Sequence, residues 1–486
     1  MYGIFMKRMF LSLLFVIVST FSGWAVESVS VQKTSDNSGV TEKNEKPAKQ
    51  AKKTSKKSDK NGKTEITMTS LDAVKLAGKM VEMGDYEHAT QILTKMPQTK
   101  SLPVEIERWY LLAQMEQRKG NYDEAIKIYR KILDSQPDLS KIRYELALCY
   151  MAKEQWYRAD YHLRLAMAGK DIPEPVKQRM MYYRYIARKN KNWNVWFNFG
   201  AAPDNNINQA TGGQECIFYN GYFYGCADNP EPEKAVGYNL LLGGNYEFKL
   251  SDNWRWKNDA NIYTNVYNKH KYDDLYLAGS TGPRYVWGNG DVWLAGVLSR
   301  RWYGWDRYNW AYGAKIDTNY DLTRKLSSGL TLRVMNNKYD EYWQLLNGQT
   351  WTFAPRFSYS FDASKYVVLR GAIDRETAKA DAYANWRYNA GLGFGAELLW
   401  GFSVYLEPSF TWVNYDGERY VPKDGDLKWV VENDFIQRYS ISLSNNKFSI
   451  WGMVPTLTCS YTKKDSNIHN RQYEKATLEL TFQQRF

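Results

Sequence analysis

Ala476-Thr477-Leu478-Glu479-Leu480-Thr481-Phe482-Gln483-Gln484-Arg485-Phe486 is the stretch whose reading decides the fold. Ala476, Leu478, Leu480, Phe482 and Phe486 share one side of an extended strand, while Lys475, Thr477, Glu479, Thr481 and Arg485 share the other. A two-residue period occurs in any half-buried strand. A strand that stops the chain on an aromatic, with one face suited to lipid and one to water, fits the closing strand of an outer-membrane barrel. Leu480, Phe482 and Phe486 are then the expected recognition signal for barrel-assembly machinery.

Working back from that strand, extended segments bounded by turn residues follow one another from Trp193. The expected strands are 193–202, 236–250, 254–266, 275–287, 292–302, 309–320, 326–335, 350–361, 365–373, 386–399, 402–413, 430–443, 448–461 and 473–486, fourteen in all. Every second connection is tight: Ser251-Asp252-Asn253, Asn289-Gly290-Asp291, 322–325, Asp362-Ala363-Ser364, Trp400-Gly401 and Asn445-Asn446. The others include long polar stretches at 204–235, 336–349, 415–429 and 462–472. Short turns at one end and long loops at the other are the asymmetry of a transmembrane barrel. Leu240, Leu242, Tyr246 and Phe248 share a face opposite Asn239, Asn245, Glu247 and Lys249. A basic residue facing lipid at the midplane costs roughly 2 to 4 kcal/mol. Charges such as Glu247, Arg370, Glu407 and Glu479 therefore belong in the lumen.

Composition agrees. The 486 residues carry 16% aromatics at a mean hydropathy of −0.60, polar yet aromatic-rich as a wet barrel would be. Beyond residue 25 no apolar run reaches the ~20 residues of a membrane helix, so strands must do any spanning. Residues 1–25, with Lys7 and Arg8 ahead of an apolar stretch and Gly23-Trp24-Ala25 after it, read as a secretory signal peptide, with Met6 an alternative start. Residues 26–65 are a Lys-rich linker almost free of apolar side chains, expected to be disordered. The net charge of +12 draws partly on these segments, so it argues for no nucleic-acid partner.

Residues 66–190 hold a repeat. Gly84-Asp85-Tyr86-x-x-Ala89 recurs 36 residues on as Gly120-Asn121-Tyr122-x-x-Ala125, and 34 further as Glu154-Gln155-Trp156-x-x-Ala159, the tetratricopeptide period. A helix over 174–189 caps the array. Such arrays hold elongated ligands in a concave face, which by likeness to the repeat family carries Tyr110, Gln114, Gln117, Tyr144, Leu148 and Met151. Leu148 and Met151 serve equally as inter-repeat core. Cys216 and Cys226 share one long loop and can pair once oxidised, while Cys149 and Cys459 read as small apolar residues. The four histidines have no second ligand at metal spacing, and no phosphate-cradling Gly-x-x-x-x-Gly-Lys occurs. No metal, cofactor or enzymatic activity is expected.

The secretory signal, the short tetratricopeptide array, its cap and a barrel over 191–486 resemble the Slam family, the surface lipoprotein assembly modulators of Gram-negative outer membranes. The most specific piece is Trp193-Asn194-Val195-Trp196-Phe197 followed by Pro203-Asp204-Asn205-Asn206-Ile207-Asn208-Gln209-Ala210. Asp204, Asn205, Asn206, Ile207, Asn208 and Ala210 either fix a loop through side-chain to backbone bonds or touch cargo. The resemblance implies export of surface lipoproteins, or soluble haem- or metal-acquisition proteins, with the repeats in the periplasm. An exopolysaccharide exporter with repeats before its barrel, or a passive porin with a partner-binding domain, are the alternatives.

Overall fold

The computed structural model describes residues 56–58, 64–66, 68–169, 172–219, 222–423, 426–448 and 453–485. The expected signal peptide and most of the linker lie outside these. Within the linker, where composition led us to expect no regular structure, Lys56–Ser58 pairs antiparallel with Thr64–Ile66.

The chain divides into two compact units between Gly120 and Asn121, inside the second copy of the repeat. The first contains α1 (Ser70–Glu82), α2 (Tyr86–Lys95) and α3 (Leu102–Arg118). Thr69 caps α1 by accepting from the Asp72 amide at 3.2 Å, satisfying one of the free N–H groups at a helix start. Ala73, Ala77 and Val81 of α1, Ala89 and Leu93 of α2, and Leu111 and Met115 of α3 form one apolar core.

The second unit begins with α4 (Tyr122–Ser135), α5 (Ser140–Ala152), α6 (Trp156–Met167) and α7 (Glu174–Lys189). The repeat spacing has a backbone cause. Gly84 and Gly120 turn the chain between paired helices with φ of 83° and 81°, and the third copy does the same at Glu154 with φ 55°. Left-handed backbone costs a side-chain-bearing residue roughly 1 to 2 kcal/mol, which is why the first two copies use glycine. Ala89, Ala125 and Ala159 are fully buried, and their small size lets the helices close.

Fourteen strands then form a closed barrel in which each pairs antiparallel with its chain neighbours and the last with the first. They are β1 (Trp193–Asp204), β2 (Ala235–Lys249), β3 (Trp254–Tyr267), β4 (Asp274–Trp287), β5 (Gly290–Tyr303), β6 (Asp306–Asp321) and β7 (Leu326–Tyr339). The ring continues with β8 (Gly348–Ser360), β9 (Lys365–Glu376), β10 (Asn385–Glu397), β11 (Phe402–Lys423), β12 (Asp426–Asn445), β13 (Val454–Ser466) and β14 (Tyr473–Arg485). Closure leaves no unpaired edge, the condition for backbone to cross lipid. Outward positions such as Leu242, Phe248, Leu298, Trp310, Phe353 and Leu480 are exposed and apolar. Inward positions carry Glu247, Arg284 and Asp291, a buried ion-paired set at 2.8 and 3.2 Å. Among the described residues no helix is long and apolar enough to cross a membrane.

Most strand boundaries shift by a few residues from expectation, and the largest departures lie at β11, β12 and β13. β11 and β12 run on to Lys423 and from Asp426, so the supposed loop over 415–429 is largely a ladder. β13 begins at Val454, because Asn446–Phe448 forms a 3-10 turn. The first long loop contains an unforeseen hairpin, Gln214–Tyr219 with Tyr222–Asp228. Its register sets Cys216 opposite Cys226. Cys226 is disulfide-bonded, whereas Cys149 and Cys459 are free and buried.

Candidate functional site

Helix α6 lies across the barrel mouth at the short-turn end. Tyr157, Tyr161 and Arg164 recur at helical spacing on one face. Tyr157 donates to Asn245 of β2 at 3.0 Å, and Tyr161 donates to Glu397 of β10 at 2.6 Å. Arg164 donates to Ser358 of β8 at 3.2 Å and stacks on Tyr366 of β9. In a ring of fourteen, β2 and β8 to β10 are near-opposite walls, so a helix bonded to both bars the opening. Inward-facing Gly395 makes room for the arrangement, since a Cβ there would meet the Tyr366 ring at 2.1 Å.

The flanking helices hold the same rim. Arg143 of α5, with no exposed surface, donates to Glu397 at 2.7 Å and to the Pro137 carbonyl at 2.7 Å. Arg184 of α7 joins Asp160 of α6 to Asp321 of β6, both at 2.9 Å, and Arg188 pairs with Asp321 as well. Lys191, just past α7, reaches Asp160 at 3.1 Å. Arg255 of β3 donates to the Lys189 carbonyl at 2.9 and 3.0 Å, satisfying the end of α7. At the turn between β10 and β11, Gly401 with φ 78° approaches Asp134 of α4.

Burial sets the electrostatics of this contact. Desolvation alone would raise the Asp160 carboxyl, but Lys191, Arg184 and Arg188 outweigh it and hold the group well below the usual carboxylate range. Burial also drives His162 well below an ordinary imidazole, helped by Arg143, Arg130 and Arg158 nearby. His162 is thus neutral, stacked on Tyr150 at 5.4 Å and met edge-on by Tyr161. Above the bar the lumen carries both signs of charge, including Arg370 with Glu407 at 2.5 Å. Lys257 and Lys315 stand over the Trp293 ring at 4.2 and 4.1 Å. Among the described residues no cluster of three metal-ligating side chains occurs.

At the long-loop end the junction residues clamp the seam between β1 and β14. Asp204 pairs with Thr477, and the register resumes from Ala201–Leu480 to Trp196–Arg485; Pro203, lacking an N–H, lies in the gap. Beyond Asp204 side chains take over from the ladder. Asn205 accepts from the Ala476 amide at 2.8 Å, and Asp204 pairs with Lys475 at 2.5 Å. Buried Asn206 donates to the Ala210 and Glu474 carbonyls and accepts from the Ala210 amide, all within 2.9 to 3.0 Å. Asn208 donates to the Glu231 carbonyl and accepts from the Glu233 amide, both at 2.8 Å, and Ile207 donates its amide to the Glu233 carbonyl at 2.8 Å. Ile207 and Ala210 are buried. Across the seam Phe482 stacks on Phe199 at 5.4 Å, while Leu480 faces outward; Phe486 lies outside the described residues.

The six residues expected on the concave repeat face fall in both compact units. Tyr110, Gln114 and Gln117 belong to α3 in the first compact unit, and Tyr144, Leu148 and Met151 to α5 in the second. Tyr110 is buried and receives the Gln114 side chain at 2.6 Å. Tyr144 stacks on Tyr183 of α7 at 6.3 Å, and with Met151 it packs round Met180, so these two serve helix packing. Sequence reasoning missed the rim contacts. A usable signal was the row of Tyr157, Tyr161 and Arg164 on a helix whose repeat pattern asks only for small and apolar residues.

The family model described as surface lipoprotein assembly modifier matches residues 193–486, and a tetratricopeptide repeat model matches residues 106–149. The chain is 22% identical over 391 residues to the surface lipoprotein assembly modifier of Pasteurella multocida, covering 77% of this chain and 75% of that protein. It is 26% identical over 397 residues to surface lipoprotein assembly modifier 1 of Neisseria meningitidis, covering 76% and 74%. A hemophilin secretion modulator of Acinetobacter baumannii is 20% identical over 259 residues, covering 53% and 51%. Since the family match spans the whole barrel from Trp193 onward, the chain belongs to the surface lipoprotein assembly modifier family.

Proposed function

We propose that this protein is an outer-membrane translocator that carries particular proteins from the periplasm to the cell surface. Its cargo is a surface lipoprotein or, as the name of the Acinetobacter relative suggests, a secreted hemophilin-like protein. The observation that carries this reading is the family match over the complete barrel. The short-turn end and the helices at it face the periplasm, and the disulfide-bearing hairpin lies outside. The signal peptide at residues 1–25 brings the chain to the export route. Barrel-assembly machinery inserts it through the Leu480, Phe482 and Phe486 signal, and membrane lipid then surrounds it. The protein acts as a conduit rather than an enzyme, and folding of cargo outside makes the step one-way.

Deletion of the chain followed by protease shaving of intact cells tests the reading. One lipoprotein or secreted protein should vanish from the surface and accumulate inside. A change confined to surface sugar would transfer the protein to the polysaccharide exporters.

A further inference from the structure

The helices at the mouth bond to near-opposite walls of the barrel through contacts that are polar. The apolar core of α5, α6 and α7, Ala147, Leu163, Ala166, Met167 and Met180, is made wholly among the helices. What joins them to the barrel is polar: Arg143 with Glu397, Arg184 and Arg188 with Asp321, Tyr157 with Asn245, and Arg164 with Ser358. Apolar area exposed to water is costly, whereas freed charges at a rim regain hydration. A body held in this way can leave without losing its own core. A cleft of 580 Å³ bordered by Met181, Tyr182 and Leu322 lies beside the Arg184–Asp321 pair, and the other tie of α7 to the turn after β6 is again ionic, Arg324 donating to Glu174 at the helix start. The connection to β1 is short, Asn190-Lys191-Asn192, and fixes the side about which such a body would swing.

We propose that α5 to α7 form a gate across the periplasmic mouth, with α6 as its bar and two carboxylates of the barrel rim, Glu397 and Asp321, as its latches. In the latched state the pore is shut to cargo and to small solutes. Passage of a polypeptide through the lumen requires Arg143 to leave Glu397 and Arg184 with Arg188 to leave Asp321. The inference rests on the export reading only for what passes; the shut state is a property of the helices and the barrel, whatever the cargo.

The test uses the full chain in planar lipid bilayers and in cells. Glu397→Gln with Asp321→Asn keeps the shape of both side chains and removes their charge. The fraction of time conducting should rise at least tenfold over the unaltered protein, with the boiling-dependent gel mobility of a folded barrel retained. A second protein carries Tyr157→Cys and Asn245→Cys with Cys149→Ala and Cys459→Ala, joined by a short bis-maleimide. Once joined, it should show no conductance above the unaltered baseline and no surface display of cargo, whereas the same protein left unjoined displays cargo. Latch variants that conduct like the unaltered protein, or a joined protein that exports at the normal rate, would overturn the gate. If the double carboxylate variant does not fold, the joined protein decides alone. A protein that gates in bilayers while its deletion leaves every surface protein in place would refute the export reading and leave the gate standing.

Discussion

The two ends of the barrel are fastened by different chemistry. At the short-turn end, helices are held by arginines on carboxylates, a contact of few, charged, partly buried groups. At the long-loop end the seam has one ion pair, Asp204 with Lys475, and is otherwise held beyond the ladder by Asn205 and Asn206, neutral amides that answer backbone donors or acceptors. Separated charges can be hydrated, so an ion-paired contact has an open state of modest cost once water enters. A buried amide stripped of its backbone partners leaves them unsatisfied in the place they occupy. The first arrangement suits a contact that must part; the second suits one that must persist.

The comparison breaks most readily at Arg143. Arg143→Ala leaves Glu397 beside Tyr161 with no cation, and loss of one partner of a buried pair costs roughly 3 to 5 kcal/mol. Limited proteolysis of the folded protein should then cut between α4 and α7 while the barrel stays resistant. Equal resistance of the helices in the variant would mean that they do not depend on the rim. Next in size, Asn206→Ala removes three side-chain bonds from a buried site and should destabilise the closed barrel by roughly 2 to 3 kcal/mol. The temperature at which heated samples lose barrel mobility should fall, with no change in conductance at rest. A rise in conductance there would erase the distinction between the two ends.

A smaller effect comes from His162. Its folded-state pKa lies well below that of the free imidazole, so below about pH 6.5 the unfolded chain binds a proton that the folded one does not. Stability of the helices is full above that pH and falls as pH drops, by about 1.4 kcal/mol per unit. Hydrogen exchange in α6 at pH 7.5 and 5.5 should show this slope, and His162→Phe should remove it. Least of all, Glu154→Gly relieves a left-handed side-chain-bearing residue and should stabilise the repeat by about 1 kcal/mol or less, seen as slower exchange in α5 and α6. Neither end of the barrel should change in that variant, which makes it the control for the other three.

The barrel was legible because its signal is local. Leu240, Leu242, Tyr246 and Phe248 against Asn239, Asn245 and Glu247 state the lipid and lumen faces within one strand, and the period repeats fourteen times. Where lipid ceases to constrain the sequence the pattern fades, so the extension of β11 through Glu418 and Arg419 looked like a loop. The repeats were equally local, fixed by Gly84 and Gly120 at the turns. The rim contacts were not legible. Arg143 and Glu397 are 254 positions apart, Tyr161 and Glu397 236, and Arg184 and Asp321 137. An arginine on a helix surface carries no mark of a carboxylate that distant. The packing of Tyr144 and Met151 was hidden for a related reason, since the same residue types serve whether they meet a guest peptide or the neighbouring α7.

The division between Gly120 and Asn121 also has a practical consequence for dissecting the protein. A truncation that starts at Trp193 discards the cations opposite Glu397 and Asp321 and leaves those two carboxylates without their arginine partners. One that starts at Asn121 removes only α1 to α3 and retains every rim pair. Comparing the two separates what α1 to α3 contribute from what α4 to α7 contribute.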